Sequence, residues 1–187
     1  MRALLLFCLI APLGGCAKKS GSAADPNPPA DGGATAPGVT GSAGWVEFRH
    51  PEGALSASLP AAPQPRTGSR PGLNRPVPVG QAFHSDYFAQ ADGLYCEFGV
   101  VAYSPELVDG VRNAAPPLPP GGKRTALTWA GRPAVEDVSE DGQGHKLFSR
   151  RVWVGSRLYY CGLYGRAPGR PTDAERAAVF GSFAPAD

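Results

Sequence analysis

The chain has 187 residues, a formal charge of +2 and 42% apolar side chains, enough for one ordinary domain with a hydrophobic core. So small a charge is too little to imply a nucleic-acid binder. Glycine and proline contribute 25 and 21 residues, and that share points to long turn-rich or unstructured stretches beside the core.

The chain opens MRALLLFCLIAPLGGC. Arg2 supplies a positive start, residues 3–13 an apolar run and Gly14-Gly15 a small-residue cleavage context, the pattern of an export signal over residues 1–15. A membrane-spanning helix takes about 20 apolar residues, so this run is too short to be one. Leu13-Gly14-Gly15-Cys16 resembles the bacterial lipobox, in which a leucine and two small residues precede a cysteine that takes lipid and becomes the first mature residue. The resemblance implies an extracytoplasmic lipoprotein held in the membrane through Cys16, by palmitate and further acyl chains. One chain alone binds a bilayer only marginally and two or three hold it firmly. Ala17 and a Lys-Lys pair follow in place of the aspartate that retains enterobacterial lipoproteins at the inner membrane, which points to the outer membrane or cell surface.

Residues 16–44 contain almost no large apolar side chains, so they cannot bury enough surface to offset the entropy of ordering. They read as a tether, with a root-mean-square reach of roughly 30 Å as flexible coil. A single globular domain is expected over residues 45–187.

Within it, WVEFRH and ALSASLP alternate large apolar with polar or small residues and predict two short strands, the second ended by Pro60. A Pro- and Arg-rich loop over residues 61–80 follows. Residues 81–104 predict a hairpin turning at Asp92-Gly93. On its second strand Leu94, Cys96, Phe98, Val100 and Ala102 share one face, and Tyr95, Glu97, Gly99, Val101 and Tyr103 the other. Ser104-Pro105-Glu106 has the form of a helix start, with Leu107, Val108 and Val111 as the apolar side. After the proline-rich residues 113–123 come RTALTWA, PAVEDVS, HKLFSRRVWVG and RLYYCGLYG, four strand candidates separated by Gly-containing turns. Thr172 to Glu175 predicts a capping box opening a short helix that Gly181 closes. The fold class is therefore α+β, a mostly antiparallel sheet flanked by helices.

Four stretches carry a further resemblance: Pro51-Glu52-Gly53 with Ser58 to Pro60, Gly131-Arg132-Pro133, Gly155 to Tyr159, and Phe180 to Phe183. Together they are similar to a group of uncharacterised bacterial secreted domains that look like the Mog1/PsbP-type fold, an antiparallel sheet sandwiched by helices. The resemblance implies that fold and an exported protein without catalysis. It names no ligand.

Of four cysteines, Cys8 leaves with the signal and Cys16 carries lipid, so Cys96 and Cys161 are the two thiols of an exported domain. An oxidising compartment favours their pairing, and a disulfide is expected. A cysteine nucleophile assisted by His50 or His84 would need an exposed, low-pKa thiol, whereas both cysteines lie among apolar neighbours on core-facing strand positions. His84-Ser85-Asp86 looks like a compressed triad, but adjacent strand residues face opposite ways, so Ser85 cannot meet both neighbours. His50, His84 and His145 lack zinc-site spacing, and Glu136-Asp137 with Glu140-Asp141 lacks the order of a calcium loop. Neither a cofactor nor a metal is expected. Arg66, Arg70 and Arg75 along the Pro-rich loop are the candidate contact for an anionic surface or an acidic partner. The expected function is binding, to another envelope protein. The alternative is a small-molecule or ion sensor whose pocket between sheet and helix would be walled by Tyr95, Tyr103, Trp129 and Trp153.

Overall fold

Period-two alternation over runs of up to ten residues builds the dominant feature of the protein, a wide antiparallel sheet. The computed structural model describes residues 44–66 and 73–186, which belong to one compact unit, Val39–Asp187. The signal, Cys16, all but the last residue of the tether, and Arg70 lie outside the described residues. In chain order the elements are β1 (Val46–Arg49), β2 (Leu55–Leu59), β3 (Gln64–Pro65), β4 (Ala82–Ala91), β5 (Leu94–Tyr103), α1 (Pro105–Asn113), β6 (Lys123–Trp129), β7 (Arg132–Glu140), β8 (Lys146–Val154), β9 (Arg157–Gly165), α2 (Asp173–Ser182) and β10 (Ala184–Pro185). Among the described residues the class is α+β, mostly antiparallel sheet with two helices.

Seven strands form one sheet in the order β3-β4-β5-β9-β8-β7-β6, and β1, β2 and β10 form a second, small one. The β4–β5 hairpin closes at Asp92 and Gly93 with φ of 47° and 76°, the left-handed pair of a type I′ turn whose twist matches the strands it joins. Ala130 and Gly131, at 49° and 74°, do the same between β6 and β7.

One face of the large sheet is the core side. Leu94, Cys96, Phe98 and Val100 of β5, Tyr159, Cys161 and Leu163 of β9, and Val152 of β8 are all buried on it. The small sheet covers it on one side, where Phe48 meets the rings of Tyr87 and Phe98 at 4.8 and 5.3 Å. Helix α2 covers it on the other, where Val179, Phe180 and Phe183 are buried. Trp129 stacks on Phe183 at 4.6 Å and donates its indole N–H to the Phe180 carbonyl at 2.6 Å. Two arginines seal the rim over aromatic rings, Arg150 over Phe180 at 4.4 Å and Arg176 over Phe148 at 4.0 Å. Truncating a ring such as Phe98, which is fully buried, costs about 3–5 kcal/mol in such a core.

The capping box of α2 is present: Thr172 Oγ1 accepts from the Glu175 N–H at 3.2 Å and Glu175 Oε2 accepts from the Thr172 N–H at 2.7 Å. Gly181 does not close the helix as expected. It lies inside α2, which ends at Ser182 and is capped by Phe183, because the buried Phe183 ring holds the last turn against the sheet. At α1, Ser104 stands at the N-cap and its carbonyl accepts the Leu107 N–H at 3.0 Å, but its side chain makes no cap bond to the helix backbone. Its hydroxyl instead donates to Glu106 Oε1 at 2.6 Å and accepts the Gly80 N–H at 3.1 Å, tying the helix start to the loop before β4.

Candidate functional site

The other face of the large sheet is the candidate site. Among the described residues no helix or second sheet packs against its centre. The exposed helix α1 reaches only one end of it, where Arg112 lies 5.1 Å from the Trp153 ring and donates to the Gly155 carbonyl. Strand alternation brings Tyr95, Glu97 and Tyr103 of β5, Tyr160 and Tyr164 of β9, Arg151 and Trp153 of β8, Asp137 of β7 and Asp86 and Phe88 of β4 to this face. All ten side chains are half-buried.

Ordered polar contacts hold the face. Arg66, just beyond β3, lays its guanidinium over β5, with Nη1 and Nη2 each 2.9 Å from a Glu97 carboxylate oxygen and Nη2 donating to the Tyr95 hydroxyl at 2.9 Å. Burial pushes the Glu97 carboxyl above the usual carboxylate range, against the pull of Arg66 and with a further push from Asp86. Tyr160 donates its phenol to Asp86 Oδ1 at 2.5 Å. Burial first, and the Asp86 charge second, raise that phenol well above its ordinary value, so it remains a donor.

The arrangement requires Gly99 beneath it. A Cβ there would lie 2.5 Å from the Ser85 carbonyl and 2.9 Å from both Asp86 Oδ1 and the Tyr160 hydroxyl. Across the sheet, Asp137 accepts two bonds from Arg124, at 2.7 and 2.9 Å, and one from Arg151 at 2.5 Å. Where the face meets the open edge of β4, a shallow hollow of about 330 Å³ is lined by Gln64, Phe88, Gln90 and Asp92.

Of the arginine trio, Arg66 is neutralised by Glu97, Arg75 is exposed, and Arg70 lies outside the described residues. The four aromatic residues expected to wall a pocket do not converge. Tyr103 and Trp153 pair at 5.5 Å and Tyr95 stacks with Phe88 at 6.0 Å, all on the outer face, while Trp129 is buried on the core face.

Cys96 and Cys161 are fully buried thiols with their sulfurs 3.9 Å apart. They stand on adjacent strands in diagonal register, since Cys96 faces Leu163 and Cys161 faces Phe98. The sulfurs touch without being bonded. Burial, and the contact with Cys96, raise the Cys161 thiol well above its usual range, the opposite of an activated nucleophile.

Ser85 does meet a histidine, one that lies 35 residues away. His50 Nε2 is 2.7 Å from Ser85 Oγ, both residues are only 4% exposed, and His50 Nδ1 accepts the Glu52 N–H at 3.1 Å. With its lone pair committed at Nδ1, the neutral ring carries its proton on Nε2 and donates it to Ser85. A general base needs the reverse tautomer. Burial lowers the His50 pKa and keeps the ring neutral. His84 is exposed and Asp86 belongs to Tyr160, so the apparent triad is divided between the two faces.

His145 sits in the β7–β8 turn, where Asp141 accepts its N–H at 3.0 Å and contacts its Nδ1 at 2.9 Å. Bonding to His145, its side chain first, holds the Asp141 carboxyl down at about 2. Among the described residues no three His, Cys, Asp or Glu side chains are grouped to hold a metal ion. Glu136 is turned to Arg150, Asp137 to Arg124 and Arg151, and Asp141 to His145.

The Tyr160–Asp86 and Arg66–Glu97 pairs were not read from the sequence. The signal available was the second face of β5, with its Tyr-Glu-Gly-Val-Tyr alternation. No family model matches the chain, and no curated protein is significantly similar to it.

Proposed function

We propose that this is a lipid-anchored extracytoplasmic protein of the bacterial envelope, tethered through Cys16, whose domain binds another envelope protein through the outer face of its large sheet and performs no chemistry of its own. The observation that carries this reading is the content of that face: half-buried Phe88, Tyr95, Tyr103, Trp153, Tyr160 and Tyr164 interleaved with half-buried Arg151 and exposed Arg66 and Arg124, uncovered at the centre among the described residues. Aromatic residues and arginine are the types enriched in the cores of protein interfaces, and they dominate the affinity. Here the ion pairs and the Tyr160–Asp86 bond already fix the side chains, so binding loses less rotamer entropy. A small-molecule pocket would need Trp129 beside Tyr103 and Trp153, and it lies on the other side of the sheet. The proposal extends to the Mog1/PsbP-type fold, supported by one antiparallel sheet with α2 on one face and α1 at the end of the other.

The test is site-specific photo-cross-linking in the native envelope. A photoreactive residue in place of Tyr95 or Ser149 on the outer face should give a discrete protein adduct, and one in place of Ala177 on the exposed side of α2 should not. Equal adducts from all three positions, or none from the outer face, would contradict the reading.

A further inference from the structure

Strand β6 forms one border of the large sheet: it pairs with β7 on one side and with nothing among the described residues on the other. Five of its seven residues, Lys123 to Ala126 and Thr128, are exposed. It contains no proline and no bulge, two of the devices that block such an edge, and the charged side chains that form a third are confined to Lys123 and Arg124 at its start.

The hairpin fixes which backbone groups are open. Trp129 and Arg132 close the two-residue turn between β6 and β7, and the closing pair of such a turn is a hydrogen-bonded one. By alternation Trp129, Leu127, Thr125 and Lys123 give their N–H and C=O groups to β7, while Thr128, Ala126 and Arg124 turn theirs outward.

We infer that a second copy of this chain takes this edge, β6 against β6 antiparallel with Ala126 on the two-fold axis, so that two large sheets run on as one. Three hydrogen-bonded pairs then form, Ala126 with Ala126 of the second copy and Arg124 with Thr128 of the second copy in both directions, each exchanging two N–H···O bonds. The register is self-complementary, as a two-fold interface requires. The small Ala126 side chain lies at the axis and each arginine faces a threonine.

Neighbouring registers are worse. A slide of two residues either way keeps only two of the three pairs, because the third then falls on Gly122 before the strand or on the turn at Ala130, and a slide of four one way sets Arg124 opposite Arg124. A shift of one opposes groups already bonded to β7. Nor does the basic end repel the second copy. The Arg124 guanidinium is turned inward along the sheet to Asp137 and the Pro116 carbonyl, and Lys123 lies at the far end of the seam. The two outer faces would join side by side into one platform, although the pairing stands whether or not that face binds a partner.

The test measures the protein mass of the full chain purified in detergent, by light scattering combined with absorbance and refractive index. The wild type should contain two chains. Ala126→Pro removes an outward N–H and leaves the bonds to β7 in place, and it should halve the mass. Ala126→Arg sets two like charges at the axis and should also halve it. Mixing Ala126→Arg with Ala126→Glu chains should restore the two-chain mass, which a merely misfolded variant would not do, so the mixing arm decides the matter even if the proline variant fails to fold. A one-chain wild type, or a two-chain Ala126→Arg protein with wild-type circular dichroism, would overturn the inference.

Discussion

Joining Cys96 to Cys161 would close a loop of 65 residues, and the consequences can be worked out in some detail. In the chain-entropy account such a loop stabilises a domain by about 4 kcal/mol. Against this stands the register, because the diagonal placement leaves the sulfurs 3.9 Å apart and they must close to the roughly 2.05 Å of a bond. At roughly 3–5 °C per kcal/mol for a domain of this size, the net effect should be a melting temperature about 10–15 °C higher for the bridged protein. Both thiols are fully buried and Cys161 titrates well above its usual range, so oxidation of the folded domain should be slow and oxidation of the unfolded chain fast. The assay takes protein made in an oxidising compartment, unfolds it in alkylating reagent without reductant, and weighs it. A mass with no alkyl groups on Cys96 and Cys161, together with a melting temperature that falls on reduction, is the expected result. Two alkylated thiols in unreduced protein would refute the bridge, and a bridge whose reduction leaves melting unchanged would refute the magnitude.

Gly99→Ala should destabilise the domain by about 1–3 kcal/mol, because the new methyl group collides with the Ser85 carbonyl, Asp86 and the Tyr160 hydroxyl; urea unfolding would show it, and Tyr160→Phe should cost less. The lowered pKa of His50 means that the unfolded chain binds the extra proton first. Stability attributable to the ring should therefore be full above pH 6.5 and fall as the pH drops from there towards the folded-state pKa, by about 1.4 kcal/mol for each unit of depression. Comparison with His50→Asn across pH 5 to 7.5 isolates the effect, and a wild-type curve parallel to that of the variant would disprove it. Cys16→Ser should abolish incorporation of labelled palmitate and release the protein from the membrane fraction, as membrane sedimentation would report.

Much of the scaffold was legible without coordinates because its causes are local. Alternation in LYCEFGVVAY and RLYYCGLYG separates the two faces of β5 and β9, Asp92-Gly93 fits only a tight hairpin turn, and Thr172 with Glu175 caps its own helix. The opposed faces of Ser85 and its neighbours followed from strand geometry alone, as did the core-facing direction of Cys96 and Cys161. Gly181 misled because a glycine near a helix end favours termination only when nothing holds the next turn, and here Phe183 does.

Tertiary structure alone decided which distant side chains meet. His50 reaches Ser85, Arg66 reaches Glu97 and Tyr160 reaches Asp86 because β1, β3 and β9 are brought to β4 and β5 by packing and pairing across 31 to 74 residues of chain. No local propensity encodes such distances. The same holds for the order of the strands, which among the described residues leaves β6 at a border and the centre of one face of the sheet open. A sequence states which side of a strand a residue occupies; only the assembled sheet decides what stands opposite it.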